Sequence, residues 1–247
     1  ISDVSIRSII TDSKGRLWIS TVNGMALYTD KDDFIRIPME TQSRNSVQIL
    51  EDNAGRIFIN TSVSLCEYNE ERGVFEEKML LVGQDAPPVS ACFITPDNDL
   101  ILAGALSLRR YDLTTMQLEQ TVSLDGFPTY FGMTPDGVIW MSSHIGIMLY
   151  DTNTSSFIDV PSVFKTHPIF SEAVVTYAHF SSTRVIYLNT EKHGLFVYDS
   201  EENTLKHQSE NGFPFQVPDV KITCMYTDVH GNLWIGTYDQ GYHIVYS

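Results

Sequence analysis

The chain is poor in positive charge, in paired cysteine and in long apolar runs, and each shortage removes a class of function. Sixteen Lys and Arg stand against 31 Asp and Glu in 247 residues, a formal net charge of −15. Nucleic acids and anionic membrane surfaces are gripped through Lys and Arg, so neither is an expected partner. The three cysteines, Cys66, Cys92 and Cys224, cannot all pair and match no zinc-ligand spacing. Each lies in an apolar run, where a free thiol packs as a small hydrophobe, so all three are expected to be buried. No segment approaches the ~20 consecutive apolar residues of a membrane-spanning helix. The sequence opens at Ile1 with no charged and apolar leader, which reads as an excised fragment or processed form.

Motifs with chemistry built into their spacing are missing too. There is no Gly-x-Ser-x-Gly, no His-Glu-x-x-His and no Cys-x-x-Cys, so no catalytic residue, metal or cofactor is expected. Gly231 and Gly236 have the glycine spacing of a phosphate loop, but Thr237 stands where that loop needs Lys. Glycoside hydrolysis needs two carboxylates flanking one bond, and no acidic residue stands out from ordinary turn usage. Helical periodicity is weak as well. The least strand-like segment, Phe164–Val175, is interrupted by Pro168.

What is present is a repeat. The hydrophobic share of 43% with 11% aromatics fits a folded domain. A bulky apolar residue recurs at Trp18, Phe58, Ile101, Trp140, Tyr187 and Trp234, at intervals of 39–47 residues. Three places before it stand Gly15, Gly55, Asn98, Gly137, Arg184 and Gly231, and three places after it Thr21, Thr61, Gly104, Ser143, Thr190 and Thr237. The glycine suits a turn that needs positive φ, and the apolar run behind it, without polar alternation, suits a strand buried on both faces. A second hairpin recurs with it. Tyr28, Tyr68, Tyr111, Tyr150 and Tyr198 close one strand, and Phe34, Phe75, Leu118, Phe157 and Leu205 open the next across polar turns such as 29–33 and 69–73. Much of the acidic excess falls in these turns.

Four short antiparallel strands repeated in this way specify an all-β fold, a β-propeller of four-stranded blades. The expected domain is a single propeller over 1–247, with blades at roughly 3–40, 45–82, 87–123, 127–161, 172–209 and 218–247. Pro87-Pro88, Gly126-Phe127-Pro128 and Gly212-Phe213-Pro214 fall in the connectors, the longest of which lie between blades four and five and between five and six. The last copy stops after a third strand, and its Tyr246 lies one residue farther from its glycine than Tyr28 does from Gly24. The aromatic at the Trp18 position is expected to wedge between neighbouring blades.

The pattern Asp-x-x-Gly-x-Leu-Trp-Ile-(Gly/Ser)-Thr-x-x-x-Gly-x-x-x-Tyr resembles the two-component regulator propeller repeat of Bacteroides-type hybrid two-component sensors. Asp12–Thr21 with Gly24 and Tyr28 matches it almost throughout, and Asp228–Thr237 matches its core. The second copy keeps Asp52, Gly55, Thr61 and Tyr68 with Phe58 for Trp. The fourth keeps Gly137, Trp140, Gly146 and Tyr150, with Asp136 displaced next to the glycine, and copies three and five are degenerate. The resemblance implies part of a seven-bladed propeller in the periplasmic region of an inner-membrane receptor. It further implies an adjacent propeller, a β-sandwich and a histidine kinase elsewhere in the protein, a homodimeric receptor, and an oligosaccharide signal tied to polysaccharide use.

On that reading the domain senses a ligand without catalysis. Propeller ligands usually meet turns at one end of the structure, which makes the turns after the second strands the candidates: Asn23, Ser64, His144, His193, Asp239 and Gln240, with Tyr238 and Tyr242 able to stack on sugar rings. The alternative is an enzyme. Thr134-Pro135-Asp136-Gly137 and Thr95-Pro96-Asp97 resemble streptogramin lyase-like propellers, where His144 and His193 would do acid–base work. Sialidase-type propellers fit less well, because Asp12 stands three residues before Gly15 rather than two.

Overall fold

The computed structural model describes residues 5–29, 33–43, 46–81, 89–104, 106–216 and 221–246. Pro87-Pro88, residues 30–32 of the first acidic turn and Ser247 lie outside the described residues. The chain divides into two compact units, Ile1–Asp125 and Gly126–Ser247, each with three antiparallel meanders. In the first unit, blade 1 is built from Ile6–Thr11, Leu17–Thr21, Gly24–Thr29 and Asp33–Ile37. Blade 2 follows with Ser46–Glu51, Ile57–Thr61, Ser64–Asn69 and Val74–Leu80, and blade 3 with Val89–Ile94, Asp99–Gly104, Ser107–Asp112 and Leu118–Ser123. The second unit holds blade 4 (Tyr130–Met133, Val138–Ser143, Gly146–Asp151, Ser156–Ile158) and blade 5 (Val175–Phe180, Val185–Thr190, Gly194–Asp199, Thr204–His207). Blade 6 has three strands among the described residues, Ile222–Thr227, Leu233–Thr237 and Tyr242–Val245. This is the all-β blade architecture that the repeat predicts.

The turn glycines do what their spacing requires. Gly15, Gly55, Gly137 and Gly231 have φ of +78°, +76°, +90° and +85°, and Asn98 holds the same place in blade 3 at +69°. That region is open to glycine and tolerated by asparagine. Blade 5 has Arg184 there and closes its turn differently, with the Ser182 hydroxyl accepting from the Arg184 and Val185 amides at 3.2 and 3.0 Å.

Within each unit the predicted wedges form the seams between blades. Trp18 is fully buried, its ring centroid 4.8 Å from Tyr68 and 5.8 Å from Phe75 of blade 2. Phe58 is buried in a cluster with Leu100, Leu102 and Tyr111 of blade 3. Trp140 meets Phe180 and Tyr198 of blade 5 and Phe164 of the connector. First strands are also tied across seams, by bonds that the repeat pattern does not announce. The Tyr130 hydroxyl donates to the Ala178 carbonyl (3.2 Å), the Tyr177 hydroxyl to the Met225 carbonyl (3.1 Å), and the Cys92 amide to Gln48 Oε1 (2.9 Å).

Four features depart from the sequence reading. Met39–Glu40, placed at the end of the first blade, forms a short strand parallel to Val74–Leu80 of blade 2, so the sheet of blade 2 has five strands. Glu40 is fixed there by Arg72 in a two-pronged contact of 2.6 and 3.0 Å, and an otherwise open sheet edge is covered. Cys66 and Cys92 are buried as expected, with burial pushing the Cys92 thiol up to about 12, but Cys224 is exposed. Tyr246 is not the counterpart of Tyr28. Leu100, Ile139 and Ile186 face Tyr111, Tyr150 and Tyr198, whereas Leu233 faces Val245, so the seam tyrosine of blade 6 is replaced by valine. Finally, a one-turn helix, Ser162–Thr166, runs into the weakly strand-like segment, and a 3-10 turn, Phe170–Glu172, lies within it. The break between them falls at Pro168, with His167 extended (φ −68°, ψ 124°), as the residue before proline prefers.

Candidate functional site

Turns of a meander alternate between its two ends. In each blade the turn after the first strand and the turn after the third therefore share one end, and the turn after the second lies at the other. The first end is built around an acidic residue six places before the wedge. The Asp12 side chain accepts the Lys14 and Arg16 amides (3.1 and 2.8 Å), Arg16 Nε (2.6 Å) and the Trp18 indole N–H (2.8 Å). Burial opposes its ionisation, but the bonds from Trp18 and Arg16 outweigh that and hold the carboxyl below the usual range. Asp228 repeats the clamp with Trp234 (3.0 Å) and Asn232 (2.9 Å side chain to side chain), which hold it well below the usual range. Asp52 accepts Ala54 and Arg56 amides and Arg56 Nε, with the guanidinium over Phe58.

In blades 3 and 4 the same place is taken by a hydroxyl. Thr95 Oγ1 accepts from the Asp99 amide at 3.0 Å and Thr134 Oγ1 from the Val138 amide at 2.9 Å. The counterpart of Asp12 in blade 4 is therefore Thr134, and Asp136 is an exposed turn residue whose carbonyl accepts from Asn153. Every acidic group of this motif is spent on its own turn. The repeat end holds the blade together.

At the opposite end a different group does the anchoring. The hydroxyls of Thr21, Thr61, Ser143, Thr190 and Thr237 donate to the carbonyls of Gly24, Ser64, Gly146, Gly194 and Gly241 over 2.8–3.5 Å. Each also accepts an amide from within the turn: Asn23, Val63, Ile145, His193 and Gln240. The residues enclosed are the sequence candidates and their neighbours.

Asn23 is exposed and, with Gly24, Arg36, Ile37, Pro38 and Met39, lines a shallow pocket of about 230 Å³. Its carbonyl accepts from Arg36. Ser64 is fully buried, its hydroxyl paired with Thr41 at 2.7 Å and Thr61 at 3.1 Å, so the accessible place in that turn passes to Ser62. In the second unit His144 is exposed beside the exposed Ile145, and His193 is half-buried with its carbonyl accepting from His207 Nε2 at 2.7 Å. The structure brings Tyr238, Asp239, Gln240 and Tyr242 together on one turn and the start of the strand after it, all exposed. Lys221 Nζ lies 5.7 Å from the Tyr238 ring centroid, and Tyr242 lies 5.4 Å from Trp234.

Sequence reasoning noted two long connectors but placed no candidate site residue within them. The structure joins them: His167 Nε2 meets Glu210 Oε1 at 2.8 Å, while His167 Nδ1 accepts the Ile169 and Phe170 amides. Glu210 also accepts the His207 amide at 3.2 Å, and its carboxyl is held below the usual range against an opposing burial effect. The one local signal was a histidine directly before Pro168. Among the described residues no three His, Cys, Asp or Glu side chains are placed to hold a metal ion, and no helix is long and apolar enough to cross a membrane.

The family model described as "Two component regulator propeller" matches residues 1–23 and 216–239, the segments that contain the two most regular clamps. These two segments are similar to two component regulator propeller repeats. No curated protein matches it. Among solved structures, these repeats sit in a fold similar to the extracellular domain of BT4673 from B. thetaiotaomicron, described as a hybrid two component system (TM-score 0.76, 17% identity, 100% of this chain and 35% of that one). The corresponding domain of BT3049 from the same organism gives a TM-score of 0.59 at 16% identity, over 99% of this chain and 40% of that one. Virginiamycin B lyase from Staphylococcus aureus gives 0.66 at 12% identity, over 100% and 85%. These identities establish a shared fold. The chain spans about a third of the length of the BT4673 structure.

Proposed function

We propose that this chain is a ligand-sensing propeller module of a hybrid two-component system, placed in the periplasm, that answers an oligosaccharide and takes no part in catalysis. The observation that carries the reading is the pair of regulator-propeller repeats in a fold similar to the extracellular domains of BT4673 and BT3049. The turns after the second strands fit a recognition role, because short irregular segments on a rigid scaffold are where binding groups concentrate. Tyr238 and Tyr242 supply exposed rings for stacking, and Asp239 and Gln240 supply hydrogen-bonding groups in the same turn. The signal passes by rearrangement of a receptor homodimer to a histidine kinase elsewhere in the protein, through adjacent propeller and sandwich domains. It is driven by the ligand's different affinity for the two arrangements. The downstream output is control of polysaccharide use.

The test is titration of the protein with an oligosaccharide panel by calorimetry while products are followed by chromatography. Saturable heat without product is expected, with affinity lowered about tenfold by Tyr238→Ala, the cost of roughly 1.4 kcal/mol. Turnover abolished by His144→Ala or His193→Ala would overturn the reading in favour of a lyase, a chemistry associated with one of the similar folds.

A further inference from the structure

In the second unit two histidines pack against one buried ring, and the bonds around each fix where its proton sits. Phe196 of blade 5 has the His167 ring at 5.4 Å and the His207 ring at 4.8 Å between centroids. His167 Nδ1 accepts the amides of Ile169 and Phe170 at 3.3 and 3.2 Å, so that nitrogen carries no proton. Nε2 lies 2.8 Å from Glu210 Oε1. Burial opposes ionisation of Glu210, but the bond from His167 holds its carboxyl below the usual range, so the carboxylate accepts and Nε2 carries the hydrogen. His207 has the same tautomer: Nε2 donates to the His193 carbonyl at 2.7 Å, and Nδ1 accepts the Ser209 amide at 3.3 Å. Each ring is bonded as a neutral imidazole, one nitrogen donating and the other accepting.

The two differ in what a second proton meets. It can enter only at Nδ1. At His207 that nitrogen also lies 2.6 Å from the Ser209 hydroxyl, which turns to accept, so a charged ring keeps a partner. At His167 the described residues place two amide hydrogens on Nδ1 and no acceptor. A proton there sets donor against donor and leaves both amides unsatisfied. Those amides open the 3-10 turn Phe170–Glu172, which seats the buried Phe170 edge-on against Phe196 at 4.8 Å and beside Phe164 at 5.2 Å. Other charged or titratable groups on the elements packed around the ring are exposed or engaged elsewhere. Lys165 is exposed, Lys206 reaches the Gly212 carbonyl at 3.4 Å, the Tyr198 hydroxyl bonds Asn203, and Asp199 pairs with Arg184. Among the described residues the charge that faces the ring is Glu210, and it faces Nε2. Its attraction favours a charged ring, but it offers the two amides nothing.

We infer that His167 is an acid-sensitive clasp on the connector between blades 4 and 5. Protonation at Nδ1 releases the Ile169 and Phe170 amides and frees the turn that follows, while His207 stays bonded through Ser209. The strands keep their ladders, so the loosening is confined to the connector. The clasp lies wholly within the second unit and acts whatever ligand the rim turns receive.

The experiment is amide hydrogen exchange of the full chain, read by mass spectrometry from about pH 7.5 to 5, where imidazoles as a class titrate. Each rate is divided by that of the same amides in an unstructured peptide at the same pH. Protection of residues 169–173 is expected to fall by about tenfold or more across that range, while protection of residues 185–199 holds. His167→Asn keeps an acceptor for the two amides and has no proton to gain, so its protection should stay level throughout. His207→Asn should leave the fall in place. Glu210→Gln keeps an acceptor for the Nε2 hydrogen but removes the charge that favours a protonated ring, which should move the fall to lower pH. Protection independent of pH in the parent chain would overturn the proposal, as would a fall that persists in His167→Asn or disappears in His207→Asn. A fall shared by residues 185–199 would overturn it too, because acid would then be unfolding the blade itself.

Discussion

Blades 1 and 6 begin from nearly the same sequence and end in different physical states. Both carry Asp-x-x-Gly-x-Leu-Trp-Ile, both match the repeat model, and in both the aspartate takes the indole N–H, at 2.8 and 3.0 Å. Trp18 is nevertheless fully buried and Trp234 is half-buried. The difference separates two things that the motif seems to contain together. Orientation of the tryptophan is local, fixed by residues within seven positions. Burial is supplied by Tyr68 and Phe75 of the next blade, and no local sequence can provide it.

Truncating the two tryptophans should break the comparison most sharply. Trp18→Ala is expected to cost ~3–5 kcal/mol, because a closed seam cannot collapse onto the space left behind. Trp234→Ala should cost ~1–2 kcal/mol, since less apolar surface returns to water. Urea unfolding of the two variants measures both, and equal losses would mean that Trp234 is covered in solution. The clamps come next. Asp12→Ala leaves four donors without their acceptor around a buried carboxylate and should cost ~2–3 kcal/mol, whereas donors freed by Asp228→Ala can reach water and the loss should be smaller.

Acid sharpens the same contrast. Both carboxyls titrate lower in the folded chain than in the unfolded one, so their stabilisation is fully present above the unfolded value of about 4 and is lost as pH falls through the folded value. Asp12→Asn and Asp228→Asn should therefore be most destabilising near neutrality and converge on the parent chain toward pH 2, followed by urea unfolding across that range. The smallest effect belongs to the turn hydroxyls. Thr21→Val, in a buried turn, should cost ~1 kcal/mol and Thr237→Val a few tenths, again by urea unfolding.

The blades were legible in the sequence because wedge, turn glycine and hydroxyl each answer a local demand: a seam to fill, a positive φ, a carbonyl to cap. Asn98 could be placed beside Gly15 before any coordinates for that reason. What could not be read depends on partners distant in sequence. The parallel pairing of Met39–Glu40 rests on Arg72 and the outer strand of blade 2, far along the chain. The exposure of Cys224 depends on what lies against its face, which an apolar run does not reveal. Ser64 was chosen by position in a turn, but it occupies the glycine place of that turn and points inward to Thr41 and Thr61. Thr134 was passed over because a search for aspartate does not register a hydroxyl accepting the same amide.

The hydroxyl at the end of five of the six second strands has a consequence for how such a protein can change over generations. It closes a two-residue turn at Val22-Asn23, Ser62-Val63 and His144-Ile145, and a three-residue turn at 191–193 and 238–240, with the same pair of bonds. A socket that accepts either length and any side chain lets the displayed residues drift, lengthen or be exchanged while the sheet beneath keeps its register. Change at the rim therefore leaves the sheet beneath it intact, and one scaffold can carry many different turns without being rebuilt.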